Sequence, residues 1–220
     1  MKVLAVDGPG GAGKSTVSRA LASRLGWLHL DTGAFYRAAT LAVQRAEVNP
    51  DDAAAVAELV DRLKLRQEGG LMFLDGDDVS DEIRIKDVTA TVSRVSSHPE
   101  VRRILVRHQR QWVAGHPGPV VVEGRDIGSV VFPDADLKIW LVASSAERAR
   151  RRAAETGEPV SVVAADLARR DAADSTRRAS PQKPAADAIW VDTTNLAIDT
   201  VVERIVAMIV SPSRVPPHLG

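Results

Sequence analysis

The chain contains no cysteine, which excludes disulfides, thiol catalysis and cysteine-ligated zinc. It carries no net charge either, with 29 lysines and arginines against 29 aspartates and glutamates. A protein held mainly to a nucleic-acid backbone needs a positive excess, so the balance argues against that partner and leaves room only for a local basic patch. The five histidines, at 29, 98, 108, 116 and 218, show no H-x-x-x-H spacing and are expected to be structural or solvated. No apolar run is long enough to span a bilayer, and no signal peptide precedes "KVLAVDG". A cytoplasmic protein with no membrane partner is expected.

The 220 residues, 45% hydrophobic and 26% charged, fit one domain with room for an insertion. Buried strands are expected at "VLAV" (3–6), "PVVVEG" (119–124) and "LKIWLV" (137–142), with further strands near 27–30 and at "AIWVDTT" (188–194). Helical spacing or start signals place helices at 14–25, 34–46, 51–63, 85–97, 99–114 and 196–210. Short alternating segments broken by Gly-Gly and Asp-Gly mark a small antiparallel insert over 63–83. "AERARRRAAE" (146–155) and the stretch ending in "LARRDAADSTRR" form a basic helix pair, with Arg150 and Arg151 among the residues expected to face water. The proline-rich segment 211–220 is expected to be disordered. Strands alternating with helices give an α/β fold: a central parallel sheet of about five strands flanked by helices, with the antiparallel insert and a helical lid.

"GPGGAGKST" satisfies G-x-x-x-x-G-K-[ST] at every fixed position, after a strand and opening a helix. In the loop Gly8, Pro9, Gly10, Gly11, Ala12 and Gly13 the glycines would let backbone N–H groups, which Pro9 lacks, curl around anionic oxygens, and the helix begun by Lys14, Ser15 and Thr16 adds its positive end. Lys14 can reach the β- and γ-phosphates of ATP, and the Ser15 hydroxyl can ligate Mg²⁺. Neither of the two asparagines, Asn49 and Asn195, starts the N-K-x-D that reads guanine. Glu123, closing "VVVEG", keeps a mechanical ATPase in view. A small-molecule kinase must hold an acceptor and exclude water, which calls for acceptor-binding residues and a mobile basic lid. Arg37, one turn beyond Gly33 in "LDTGAFYR", can clamp an acceptor phosphate. Arg125 and Asp126, just after a buried strand, stand where ligands bind in open α/β sheets, and can meet a phosphate and a base amino group together.

"GPGGAGKST", "LDTGAFYR", "EIR", "PEVRRILVRHQR", "GRDIGSVVFPDADLKIWLVAS", "RRD" and "PAADA", in this order over residues 2–210, resemble bacterial cytidylate kinase, a P-loop nucleoside monophosphate kinase. The resemblance implies a single kinase domain, 1–210. Its core would be 1–62, 115–145 and 186–210, its monophosphate-binding region with the insert 63–114, and its lid 146–185. It further implies Mg²⁺- and ATP-dependent phosphorylation of CMP and dCMP. Thr32, Tyr36 and Arg37 would hold the CMP, with Arg125 joining Arg37 on its phosphate. Ser93, Arg102 and Asp126 would read cytosine, whose N4 amino donor lies beside two acceptors. Asp174 would bind the ribose, and the lid arginines Arg170 and Arg177 would neutralise charge on the transferred group. Glu123 stands where some relatives carry Asp, and Ala173 where another lid arginine is common. A monomer with no nucleic-acid partner is expected. The competing readings are shikimate kinase, a non-catalytic ATP-binding switch, and nucleic-acid binding by the arginines of 147–178.

Overall fold

The computed structural model describes residues 2–176, 182–210 and 218–219. β1 (Val3–Asp7) is buried at every position, which accounts for its unbroken apolar run: a strand covered on both faces has no polar side. After the P-loop, α1 (Lys14–Leu25) stops at Gly26, whose left-handed conformation ends the helix. β2 (Leu28–Asp31) runs straight into α2 (Thr32–Arg45), because the Asp31 carboxylate accepts from the Ala34 N–H at 3.1 Å and caps the new helix. Asp52 does the same for α3 (Ala53–Arg62), accepting from Ala54 and Ala55.

β3 (Leu65–Glu68), β4 (Leu71–Leu74) and β5 (Asp77–Asp78) form the small antiparallel sheet expected over 63–83. A 3₁₀ turn, Glu82–Arg84, leads to α4 (Lys86–Val95), and Pro99 opens α5 (Pro99–Gly115) at a position where its missing N–H costs nothing. β6 (Val120–Glu123) is followed by a π turn, Ile127–Val131, which the sequence did not signal, and by β7 (Leu137–Val142). The basic pair is α6 (Ser145–Thr156) and α7 (Val160–Thr176), joined by a small apolar seam of Ala149, Ala153, Val163 and Leu167. β8 (Ile189–Asp192), α8 (Ile198–Val210) and β9 (His218–Leu219) close the described chain.

Among the described residues the main sheet has the order β2-β6-β1-β7-β8-β9. β1 pairs in parallel with β6 and β7, and β8 pairs in parallel with β7 and β9. The five expected strands are thus present, and β9 adds a short sixth from the segment 211–220, the rest of which lies outside the described residues. Placing β6 and β7 on either side of β1 brings the C-terminal ends of all three together, where the loops carrying Gly8 and Arg125 emerge.

By internal contacts the described residues form two units: 2–29 with 118–176, 182–210 and 218–219, and 30–117. The first unit is organised on a core of Leu4, Val6, Val121, Ile139 and Leu141 from the sheet with Val17 and Leu21 from α1 and Val201 and Ile205 from α8. The second buries Phe35, Val56, Ile83, Val88, Ile104 and Leu105, and takes in α2 and α3 together with the insert. Among the described residues no helix is long and apolar enough to cross a membrane.

Candidate active site

In the first unit the chain turns sharply at Gly8. A Cβ there would lie 2.2 Å from the Leu141 carbonyl oxygen, so no other residue lets β1 pass β7 so closely. Gly11 is equally constrained, with φ +74° and the Arg148 backbone 3.0 Å from where a Cβ would stand. The loop ends at Gly13, the N-cap of α1, which has no side chain to satisfy the first helical N–H groups. A helix start without a side-chain cap is of the kind that can accept an anion.

Three cations line this loop through its carbonyls. Arg125 Nη1 donates to Gly8 O at 2.8 Å, Lys14 Nζ to Pro9 O at 2.8 Å and Arg148 Nη1 to Gly10 O at 2.9 Å. Acids compensate them. Asp171 pairs with Arg148 and accepts from the Gly10 N–H at 3.3 Å, and Asp174 lies 3.3 Å from Arg125 Nε. Desolvation, followed by repulsion from Arg125, brings the Lys14 ammonium down to about 7. Burial and the Arg125 charge likewise hold Arg170 below the ordinary arginine value, with Asp174 and Asp171 opposing the shift. The sequence-predicted residues Lys14, Arg125, Arg170 and Asp174 therefore belong to one electrostatic cluster. Asp126 is buried beside it, at 4% exposure, and raises the pKa of Asp7. Arg177 lies outside the described residues, and Ala173 is exposed on α7.

Ser15 Oγ donates to Glu123 Oε2 at 2.8 Å, while the other Glu123 oxygen is 3.0 Å from His29 Nε2. A hydroxyl and a carboxylate converging at the mouth of a phosphate loop are the hard oxygen donors that suit Mg²⁺ brought in by a nucleotide. The residues present fit that ion. His29 is thus a structural histidine, one of the two roles expected of it, and no local pattern points to its partner, 94 residues away. Arg151 is a correction: it does not simply face water. It donates to Thr193 O at 2.6 Å and Thr193 Oγ1 at 3.0 Å, and Thr193 in turn donates to Ala12 O at 3.3 Å. Arg150, two-thirds exposed, does face solvent as expected.

In the second unit the opening turn of α2 carries Thr32, buried, with Tyr36 and Arg37 one turn on. Arg37 Nη1 donates to Thr89 Oγ1 at 2.7 Å and Ile83 O at 3.2 Å. These contacts fix its guanidinium against α4 and the 3₁₀ turn; Thr89 was not singled out from the sequence. The Arg102 guanidinium lies over the Tyr36 ring at 5.3 Å, a cation–π contact that orients both. Arg102 is only 5% exposed, and Ser93 is half-buried on α4. Asp31 serves as the helix cap and as the partner of Arg84, at 3.3 Å. The acid of "LDTGAFYR" is thus structural.

A family model described as "Cytidylate kinase" matches residues 4–211. The chain is 51% identical to a cytidylate kinase of Nocardia farcinica over 95% of each chain, and 50% identical to one of Mycolicibacterium paratuberculosis over 92% of each. A crystal structure of an uncharacterized protein from Eubacterium ventriosum superposes with a TM-score of 0.54 at 10% identity, covering 96% of this chain and 99% of that one, a likeness of fold alone.

Proposed function

The chain belongs to the cytidylate kinase family, and from that premise we propose that it transfers the γ-phosphoryl group of ATP to CMP or dCMP, giving ADP and CDP or dCDP. One observation supports this assignment of roles most directly. Arg125, next to the buried Asp126, joins the phosphate loop at Gly8 O to Asp174 on α7, so acceptor-binding and donor-binding groups share one cation.

The loop 8–16 binds the ATP phosphates, and Lys14 neutralises the bridging and terminal oxygens as charge moves onto the leaving ADP. Ser15, with Glu123 beside it, would hold Mg²⁺, which when bound offsets phosphate charge. Arg37 and Arg125 bind the acceptor phosphate, and Thr32 and Tyr36 support it. Asp126 accepts from the cytosine N4 amino group, while Ser93 and Arg102 donate to the ring acceptors. Asp174 accepts from the ribose, and Arg170 and Arg177 stabilise the transferred group. Each arginine in such a role is worth about 10³–10⁵ in rate in related phosphoryl-transfer enzymes.

The test is ADP release measured in parallel with CMP, dCMP, UMP, AMP and shikimate. Turnover is expected with CMP and dCMP, weakly with UMP, and not with the others. Preferred turnover of shikimate or AMP, or no turnover with any acceptor, would refute the assignment.

A further inference from the structure

Asp7 closes β1 immediately before the phosphate loop, and none of the roles above uses it. Its carboxylate is 5% exposed. Both oxygens are engaged: Oδ1 accepts from the Ile127 N–H and Oδ2 from the Gly128 N–H, each at 2.8 Å. These two amides directly follow Arg125 and Asp126 and open the π turn. The start of the same loop is tied by the Gly124 N–H donating to Val6 O at 3.0 Å, and its middle by Arg125 donating to Gly8 O at 2.8 Å.

Three consecutive residues, Val6, Asp7 and Gly8, therefore hold one loop at its beginning, end and middle. The first tie is backbone to backbone and the same for any sequence. The middle tie is made by a guanidinium to which the proposed function also assigns the acceptor phosphate. Asp7 provides the remaining tie, made by a side chain with no second duty. Asp126 itself has an irregular backbone, φ −146° and ψ 29°; its carbonyl accepts from the Val130 and Val131 N–H groups at 2.9 and 3.1 Å, so the π turn that Asp7 grips at its first two amides is also what holds Asp126. A carboxylate suits the position because it is acceptor-only, whereas an amide would set its NH₂ donors against one of the two N–H groups.

We infer that Asp7 is a positioning residue for the acceptor nucleotide, its carboxylate gripping the Ile127 and Gly128 amides and so fixing the direction in which Arg125 and Asp126 are presented. This rests on the reading that Arg125 and Asp126 bind CMP. The grip is sensitive to protonation. Burial pushes the Asp7 carboxyl up to about 6, Asp126 adds to the rise, and the two amides and Lys14 oppose it. Its register partner on β7 is the uncharged Trp140, and Lys138 of the same strand packs its stem against Gly128 and gives its ammonium to Asp187. Below that pH a proton takes one acceptor away and places a donor against an N–H.

The experiment is Asp7→Asn, with KM measured separately for CMP and ATP from about pH 7.5 down to about pH 5.5, across the range in which a phosphate monoester also titrates. Because CMP ionises identically with either protein, the ratio of variant to wild type is the readout. Near pH 7.5 the KM for CMP is expected to rise about tenfold, the effect of losing a charge-assisted hydrogen bond, and the KM for ATP less than about threefold. The CMP ratio should then fall toward one as the pH drops through about 6, where wild-type Asp7 is itself protonated. Equal changes for the two substrates, or a ratio independent of pH, would overturn the proposal. Arg125→Ala measured alongside separates the two levels of the argument. If it raises the KM for CMP and Asp7→Asn does not, the grip is wrong; if neither changes it, the reading of the acceptor site is wrong. Should Asp7→Asn fail to fold, hydrogen exchange in the wild type decides. Protection of the Ile127 and Gly128 amides, referred to other buried amides, should weaken severalfold through about pH 6, and constant protection would refute the grip.

Discussion

Arg125→Ala is the substitution that separates acceptor binding from donor binding most cleanly. The side chain is 25% exposed and lies outside the buried hydrophobic clusters. It now makes a 2.8 Å bond to Gly8 O and lies 3.3 Å from Asp174, and an incoming phosphate takes up donors already in place. Charge-assisted hydrogen bonds contribute about 1.5–3 kcal/mol each. Counting one net bond, because existing partners are exchanged for the new one, CMP affinity should fall about 10- to 150-fold. ATP loses only a tether behind the phosphate loop, at a carbonyl that water can satisfy, and its dissociation constant should move by less than about threefold. Calorimetric titration with CMP and with a non-hydrolysable ATP analogue measures both. The pH dependence of kcat/KM for ATP provides a second check. Burial first, and Arg125 second, bring Lys14 down to about 7. The charged ammonium is the working form, so activity is lost as the pH rises through that value. Without Arg125 the lysine pKa rises, and the alkaline limb should move to higher pH. Equal weakening of both nucleotides, or an alkaline limb shifted downward, would refute the reasoning.

Lys14→Ala should leave less than about a tenth of wild-type kcat with an unchanged circular-dichroism spectrum, because the lysine supplies charge at the transferring phosphate. Asp174→Ala should raise the KM for CMP more than that for dCMP if the carboxylate accepts from the 2′-hydroxyl; equal effects would remove that role. Gly8→Ala should lower Tm markedly, since a Cβ 2.2 Å from the Leu141 carbonyl forces β1 and β7 apart, an overpacking cost of at least about 1–3 kcal/mol. Asp126→Asn should narrow the CMP-over-UMP ratio of kcat/KM, chiefly by loss of CMP turnover, because the amide must rotate to accept from N4 and forfeits the negative charge; an unchanged ratio would mean that Asp126 does not read the base.

The elements were legible where local chemistry decides them. "GPGGAGKST" fixes a turn and a helix start by glycine and by orphan donors, Asp52 caps where short acids precede helical spacing, and the unbroken apolar run of β1 could only be buried. Pairings between distant residues were not legible. The residues that hold Arg37, Thr89 and Ile83, are 52 and 46 positions away, and helical periodicity reports only that they lie on a buried or a polar face. The same limit hid His29 beside Glu123 and made Arg151 look solvated in a run of arginines, although the fold turns it onto Thr193. The π turn also escaped, because its backbone is anchored by Asp7, a residue 120 positions earlier whose side-chain bonds leave no local pattern.

The arrangement of charge explains how a chain with 29 cations and 29 anions can serve two polyanionic substrates. Arg125, Lys14 and Arg148 converge on three successive carbonyls of the phosphate loop, which would be a costly concentration of positive charge in a partly desolvated site. Asp171 and Asp174, three residues apart on α7 and so on one face of it, neutralise Arg148 and Arg125, and Glu123 offsets the charge on Lys14. The cations are therefore held in position by acids rather than left exposed. If Arg125 takes the acceptor phosphate as proposed, that phosphate would compete with a carboxylate for a guanidinium already aimed at the loop, and the exchange would require little reorganisation of the protein. Preorganisation of this kind is what transition-state stabilisation demands, because the charge that develops during transfer meets dipoles and cations that need not move. It also ties Arg170 of α7 to the same cluster, because, beyond the effect of burial, Arg125 lowers its pKa while Asp174 and Asp171 oppose that shift.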